Sequence, residues 1–138
     1  MTHIRATDIA WSPAGSEHFT GEVWFGPLHP PAAAADLNVL GVRFSPGARS
    51  DWHSHPGGQV LYVVEGTARV QAEGETLVEA GPGDAVHAAP GVVHWHGAGP
   101  DAAMVHLSIT HGGATEWLAR KVTDPVWFTP PDGMPWQH

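Results

Sequence analysis

"DWHSHPGGQVLYVVEG", residues 51–66, sets two histidines two apart, follows them with a Gly-rich turn, and opens an apolar run with a glutamine. On an extended chain, side chains two apart share a face, so His53 and His55 point one way and Trp52 and Ser54 the other. The same parity pairs His94 with His96 in "GVVHWHGAG" (91–99). In "AMVHLSIT" (103–110), His106 shares its face with Met104, Ser108 and Thr110, while Val105, Leu107 and Ile109 form a greasier opposite face. His106 is therefore aimed into a partly polar interior. Two imidazoles on one strand face, joined by a third from a neighbouring strand, capture a divalent cation through neutral ring nitrogens. Of the 11 histidines, seven fall between residues 53 and 111. His87 and His111 are read as structural or exposed.

Around this stretch the chain reads as a β protein. Short runs rich in Val, Leu and aromatics ("NVLGVRFS", "QVLYVVEG", "TARVQAEG", "ETLVEAG", "DAVHAAPG", "AMVHLSIT") are punctuated by 17 Gly and 13 Pro. Turn chemistry at such short spacing predicts hairpins of a sandwich or barrel rather than βαβ units. In "GGATEWLARKVTDP", Thr115 reads as an N-cap, Glu116 as a first-turn acid, and Asp124-Pro125 as a break, which predicts one short C-terminal helix. The segments "HPPAAAAD" and "TPPDGMPWQH" read as a loop and a Pro-rich tail, whose tryptophans dock on the body or on a neighbouring subunit. Trp52 and Trp95 fall by parity away from the histidine face.

Composition narrows the partners. At 138 residues the chain is expected to be one domain, with a core over 37–111, an N-terminal arm over 1–36, and a helix and tail over 112–138. A formal charge of −8 with only six Lys and Arg leaves no basic stripe for phosphates, so nucleic acid is not an expected partner. No stretch has the roughly 20 apolar residues of a membrane helix, and "MTHIRATDIA" lacks a secretory apolar run. A cytoplasmic protein with no membrane partner is expected. Zero cysteines remove disulfides, thiolate ligands and Cys nucleophiles together. Any metal must be held by His, carboxylate or amide.

Two motifs carry a family resemblance. Gly47, five residues, His53-Ser54-His55, three residues, Gln59, six residues, Gly66 resembles the first motif of the cupin superfamily, in which Glu usually stands at the Gln59 position. "GDAVHAAPGVVH", from Gly83 through Gly91 to His94, resembles the second, with Ala89 in place of its proline. The run over residues 40–111 is similar to small single-domain bacterial cupins that include manganese-dependent hydroxynitrile lyases. That resemblance implies an all-β double-stranded β-helix, or jelly-roll barrel. It implies one divalent ion (Mn, Fe(II) or Zn, with Ni or Cu also accommodated) on His53, His55, Gln59 and His94. It makes His106 the catalytic base, with Leu40, Val42, His96 and Thr110 in the substrate pocket.

Gln59 alters the expected chemistry. An amide oxygen binds a hard cation without adding negative charge, so the ion stays a stronger Lewis acid and a less electron-rich centre for activating oxygen. That favours carbonyl or lyase chemistry. In a second arrangement, Gln59 hydrogen-bonds a ligand histidine and His96 fills the fourth position. Three functions fit these parts. They are a lyase acting on a C–C bond next to a carbonyl, a polyketide cyclase with a larger pocket, and an oxygenase or non-enzymatic small-molecule-binding barrel. A small-molecule substrate and a homodimer or higher homo-oligomer are expected.

Overall fold

The computed structural model describes residues 1–130, so residues 131–138, with most of the expected Pro and Trp tail, lie outside the described part. Among the described residues the strands in chain order are β1 (Ser12–Pro13), β2 (Phe19–Thr20), β3 (Val23–His29), β4 (Asn38–Phe44), β5 (Arg49–Ser50), β6 (His53–Ser54) and β7 (Gln59–Glu65). They continue with β8 (Ala68–Ala72), β9 (Val78–Ala80), β10 (Ala85–Ala88), β11 (His94–Ala98), β12 (Met104–Thr110) and β13 (Glu116–Trp117). Each of the six apolar runs contains a strand. One sheet runs β1-β3-β4-β12-β7-β10 and the other β13-β6-β11-β5-β2, with β8 paired to β11 and carrying β9. From β4 onward the chain changes sheet at almost every connection, which is how a jelly roll is wound. The all-β jelly-roll expectation holds.

The two inner faces meet over an apolar core that includes Phe19, Val42, Phe44, Leu61, Val63 and Met104. A separate cluster of Leu77, Trp95 and Val122, joined by Trp52 and Trp127, holds the C-terminal segment to the molecule. Trp95 is fully buried there, and its Nε1–H donates to Gln71 Oε1 at 3.1 Å. Both Trp52 and Trp95 thus lie outside the histidine cluster, as parity requires.

The short helix forms, but at a different place. It spans Asp124–Trp127, with Thr123 as an extended N-cap, whereas the stretch expected to be helical after Thr115 is strand β13 followed by irregular chain. Pro125 is the reason for the start, because proline lacks only an N–H that a first turn leaves unpaired and has its φ preset for helix. Tertiary contacts override local propensity upstream. Trp117 pairs with His53 across β6 and stacks on His18 at 4.2 Å, and Ala119 at φ 53 turns the chain away.

Two arginines clamp this C-terminal strap. Arg49 and Arg69 flank Gly97 on either side of β11. Arg49 donates from Nε to Val122 O at 2.9 Å and from Nη2 to Asp124 Oδ1 at 2.6 Å, and Arg69 donates from Nε to Trp127 O at 2.8 Å. The Arg49 stem passes close over Gly97, where a Cβ would lie 2.5 Å from both Ala48 O and Arg49 Cβ. Gly97→Ala is therefore expected to cost about 1–3 kcal/mol in urea unfolding, the usual range for overpacking. Gly99→Ala, with open space around its Cβ position, should change stability by less than about 0.5 kcal/mol. Equal midpoints for the two variants would show that β5 and β11 are not in this close contact.

Candidate metal centre

Register brings the histidines together. His94 on β11 lies opposite His53 on β6, and Trp117 on β13 lies on the far side of His53. On the facing sheet, Gln59 opens β7 opposite Thr110 of β12, while His106 sits opposite Val42 of β4. Along β12, Met104, His106, Ser108 and Thr110 are buried and the residues between them only half-buried, so the polar face does turn inward. His53, His55, Gln59, His94, His96 and His106 are all buried. His87 and His111 are exposed, as expected.

Hydrogen bonds set which ring nitrogens face the middle. His53 Nδ1–H donates to Asp51 O at 2.8 Å and His94 Nδ1–H to Val92 O at 2.9 Å, which leaves each Nε2 with its lone pair. His55 Nδ1 is 3.4 Å from Thr115 Oγ1, and His55 Nε2 is buried without a hydrogen-bond partner. His96 Nδ1 and His106 Nε2 are 3.0 Å apart, leaving His96 Nε2 and His106 Nδ1 buried and unpartnered. Gln59 Nε2 donates to Ser108 Oγ at 2.8 Å, so its Oε1 is turned to His94 Nε2, also at 2.8 Å. Two lone pairs this close repel unless a cation or proton lies between them. Around an octahedral ion with bonds of about 2.1 Å, adjacent donors sit about 3.0 Å apart. These side chains fit a divalent cation.

Burial sets the charge state. Burial first, then neighbouring histidines, hold His53 and His96 well below the ordinary histidine range, and His94 is lowered by burial. Burial lowers His55 and His106 to about 4. All five rings are thus neutral donors at pH 7. For His106 burial is the largest cause of the depression.

The compact trio is His53, His94 and His96, whose donor atoms lie within 4.8 Å of one another. His55 stands beside it, with its ring 5.1 Å from His53 and 5.7 Å from His94. The adjoining cavity, about 70 Å³, is floored by His53, His55, Gln59, His96 and Ser108 and walled by Leu40, Val42, Phe19, Phe25 and Trp117. Leu40, Val42 and His96 line this cavity. Thr110 lies at Gln59's side in the sheet and His106 behind His96, neither on the cavity wall. Phe19, Phe25, Thr115 and Trp117 were missed. They come from the N-terminal arm and the C-terminal strand, where no spacing or motif signals a site.

Two consequences are measurable. The folded metal-free protein binds fewer protons than the unfolded chain between about pH 4 and 6.5, because His55 and His106 are lowered to about 4 from 6.5. Their contribution is present above about pH 6.5 and lost as pH falls toward 4, on the order of 3 kcal/mol for each ring. Urea midpoints of chelator-treated protein should fall steeply from pH 7.5 to 5; a flat profile would show that these rings are not buried and neutral. For the ion, His53→Ala and His94→Ala should abolish metal retention after gel filtration, and Gln59→Ala should weaken it less. Retention by Gln59→Ala equal to wild type, with loss in His96→Ala, would assign the fourth position to His96.

Comparison with known proteins agrees with this geometry. Residues 41–110 match the family model described as "Cupin domain". The chain is 44% identical over 112 residues to an (R)-mandelonitrile lyase of Granulicella tundricola, covering 79% of this chain and 85% of that protein. Among solved structures, a cupin-like protein from Thermotoga maritima superposes with a TM-score of 0.82 at 40% identity, over 89% of this chain and 95% of that one. The polyketide cyclase RemF of Streptomyces resistomycificus shares the fold, with a TM-score of 0.73 at 20% identity over 96% of each chain. A half-chain family match, a relative at 44% identity and the buried histidine cluster lead to one conclusion: the chain belongs to the cupin family.

Proposed function

We propose that this cupin is a metal-dependent lyase that cleaves and forms the C–C bond of a small cyanohydrin. The observation that carries this reading is the cavity. About 70 Å³ with apolar walls and a floor of neutral imidazoles suits a small carbonyl compound, whereas a polyketide chain needs a pocket several times larger. The resemblance to an (R)-mandelonitrile lyase supports the same reaction class.

His53, His55, Gln59 and His94 would hold the ion, because this set leaves the His96–His106 pair free to handle a proton. A divalent ion there supplies Lewis acidity toward a nitrile or carbonyl without the negative charge that a glutamate ligand adds. The remaining work belongs to the side chains. Phe19, Phe25, Leu40, Val42 and Trp117 exclude water and seat the apolar part of the substrate. When His96 Nδ1–H donates to His106 Nε2, His96 Nε2 carries a lone pair facing the cavity. His96 takes the hydroxyl proton there. The C–CN electron pair leaves with cyanide as the carbonyl forms, and the proton returns to give hydrogen cyanide. His106 is a positioning residue that sets the His96 tautomer and shares its charge.

The test is chelation followed by reconstitution, ion by ion, on a small aliphatic cyanohydrin and on a poly-β-ketone analogue. Cyanide release that disappears on chelation and returns with one divalent ion is expected. Cyclisation of the poly-β-ketone without any cyanide release would replace this reading. With metal content unchanged, His96→Ala and His106→Ala should each lower turnover by about 10²- to 10⁴-fold. Because burial lowers both rings, the acid limb of the wild-type rate should lie below pH 6.5. Full turnover by metal-replete His96→Ala would remove the pair from the mechanism.

A further inference from the structure

His94 borders a second cavity, about 230 Å³ against about 70 Å³ for the one floored by His53 and His96, and the two share no lining residue. Strand pairing explains why the space is there. Ala72 on β8 pairs with His94, and Ala88 on β10 pairs with Gln59. Residues directly opposite one another in an antiparallel pair point to the same face, so both alanines point into the barrel beside the side chains they flank. A methyl group at each position leaves empty the volume that a larger side chain would fill. β10 is the last strand of one sheet, and β9, carried on β8, is an edge of the other. The space reaches the surface between these edges, where Val78 is 46% exposed.

Eight of the twelve lining residues are Ala, Val or Leu, which makes the cavity a place for an apolar body. His94 adds no hydrogen bond to it. Its Nδ1–H is engaged by Val92 O and its Nε2 is turned to Gln59 Oε1, so His94 offers this cavity only ring carbon and π surface. Water at the inner end lacks partners, and an apolar group displaces it with gain. Ala72 and Ala88 come from facing sheets, and a slot one side-chain layer thick admits a planar ring that packs on the imidazole. An apolar cavity of about 150 Å³ already holds benzene. The rim is polar, with Glu75, Thr76 and His87 exposed there. Glu75, on a chain of formal charge −8, disfavours an anion.

We propose that this cavity is a second small-molecule site, separate from the reaction cavity, for a neutral molecule with one aromatic ring. The ring lies between Ala72 and Ala88 with its inner edge on His94, and its polar substituent meets Thr76 and His87 at the rim. Size separates the two sites. A ring that fits here is too large for the cavity of about 70 Å³ beside His96.

The probe is benzyl alcohol, titrated into the full-length metal-free and zinc-loaded proteins and followed by NMR of the Val, Leu and Ala methyls. This readout does not depend on the reaction catalysed. Saturable shifts are expected at Val70, Val78, Val86 and Val92, with Leu40 and Val42 unmoved, at a Kd of about 1 mM or below. Benzoate, which brings a charge to an apolar slot, should bind about tenfold more weakly or worse. Ala88→Leu fills the slot with apolar atoms and should weaken benzyl alcohol about tenfold or more, and Ala72→Leu repeats the measurement from the facing sheet. Shifts centred on Leu40 and Val42 would place the ring in the reaction cavity and overturn the proposal. So would the absence of saturable shifts up to about 20 mM in wild type, or Ala88→Leu and Ala72→Leu proteins with wild-type urea midpoints that both bind as tightly as wild type.

Discussion

Five imidazoles packed without charge inside a small barrel are the constraint on which the rest of the structure depends. Each ring has polar nitrogens that cost free energy when buried and unpaired. Carbonyls satisfy two of them, His53 through Asp51 and His94 through Val92, and His96 and His106 satisfy one another. The nitrogens left over, His55 Nε2 and His96 Nε2 among them, are buried without a hydrogen-bond partner. Such unpartnered groups persist where function uses them and where the surroundings are rigid enough to hold them.

Rigidity comes from the apolar layers around the cluster. Phe44 packs against both His96 and His106, at 5.6 and 5.5 Å between ring centres, and so holds the pair from the core side. On the cavity side, Trp117 lies 4.8 Å from His53 and is backed by His18 and Phe19. The C-terminal strap is anchored separately by Arg49 and Arg69 to backbone carbonyls and Asp124. The C-terminal segment is thus tied to β5 and β8 by the arginines and to β6 by the pairing of Trp117 with His53.

Polar residues inside displace apolar ones outward. β12 spends its buried face on His106, Ser108 and Thr110, and its other face is Val105, Leu107 and Ile109. A barrel with this inversion has a site at its centre and an uncovered apolar surface on its flank. The two faces of this one strand follow from the same alternation.

Alternation and spacing determined a strand-rich sandwich or barrel, the shared faces of His53 with His55 and of His94 with His96, and the inward turn of His106. These are local properties, since a period of two residues selects a face wherever the strand ends up. The turn residues and the two Gly- and His-bearing motifs made the family legible as well. Only tertiary structure decided what stands opposite each face. The register of β11 on β6 placed His94 against His53, and the packing of the two sheets put His106 behind His96 rather than on the cavity wall. Pairing with His53 pulled Trp117 out of an expected helix and made it a wall of the site, while Phe19 and Phe25 arrived from the N-terminal arm. Distances between segments far apart in the chain depend on long-range pairing and on the burial of large rings, and no local period encodes either.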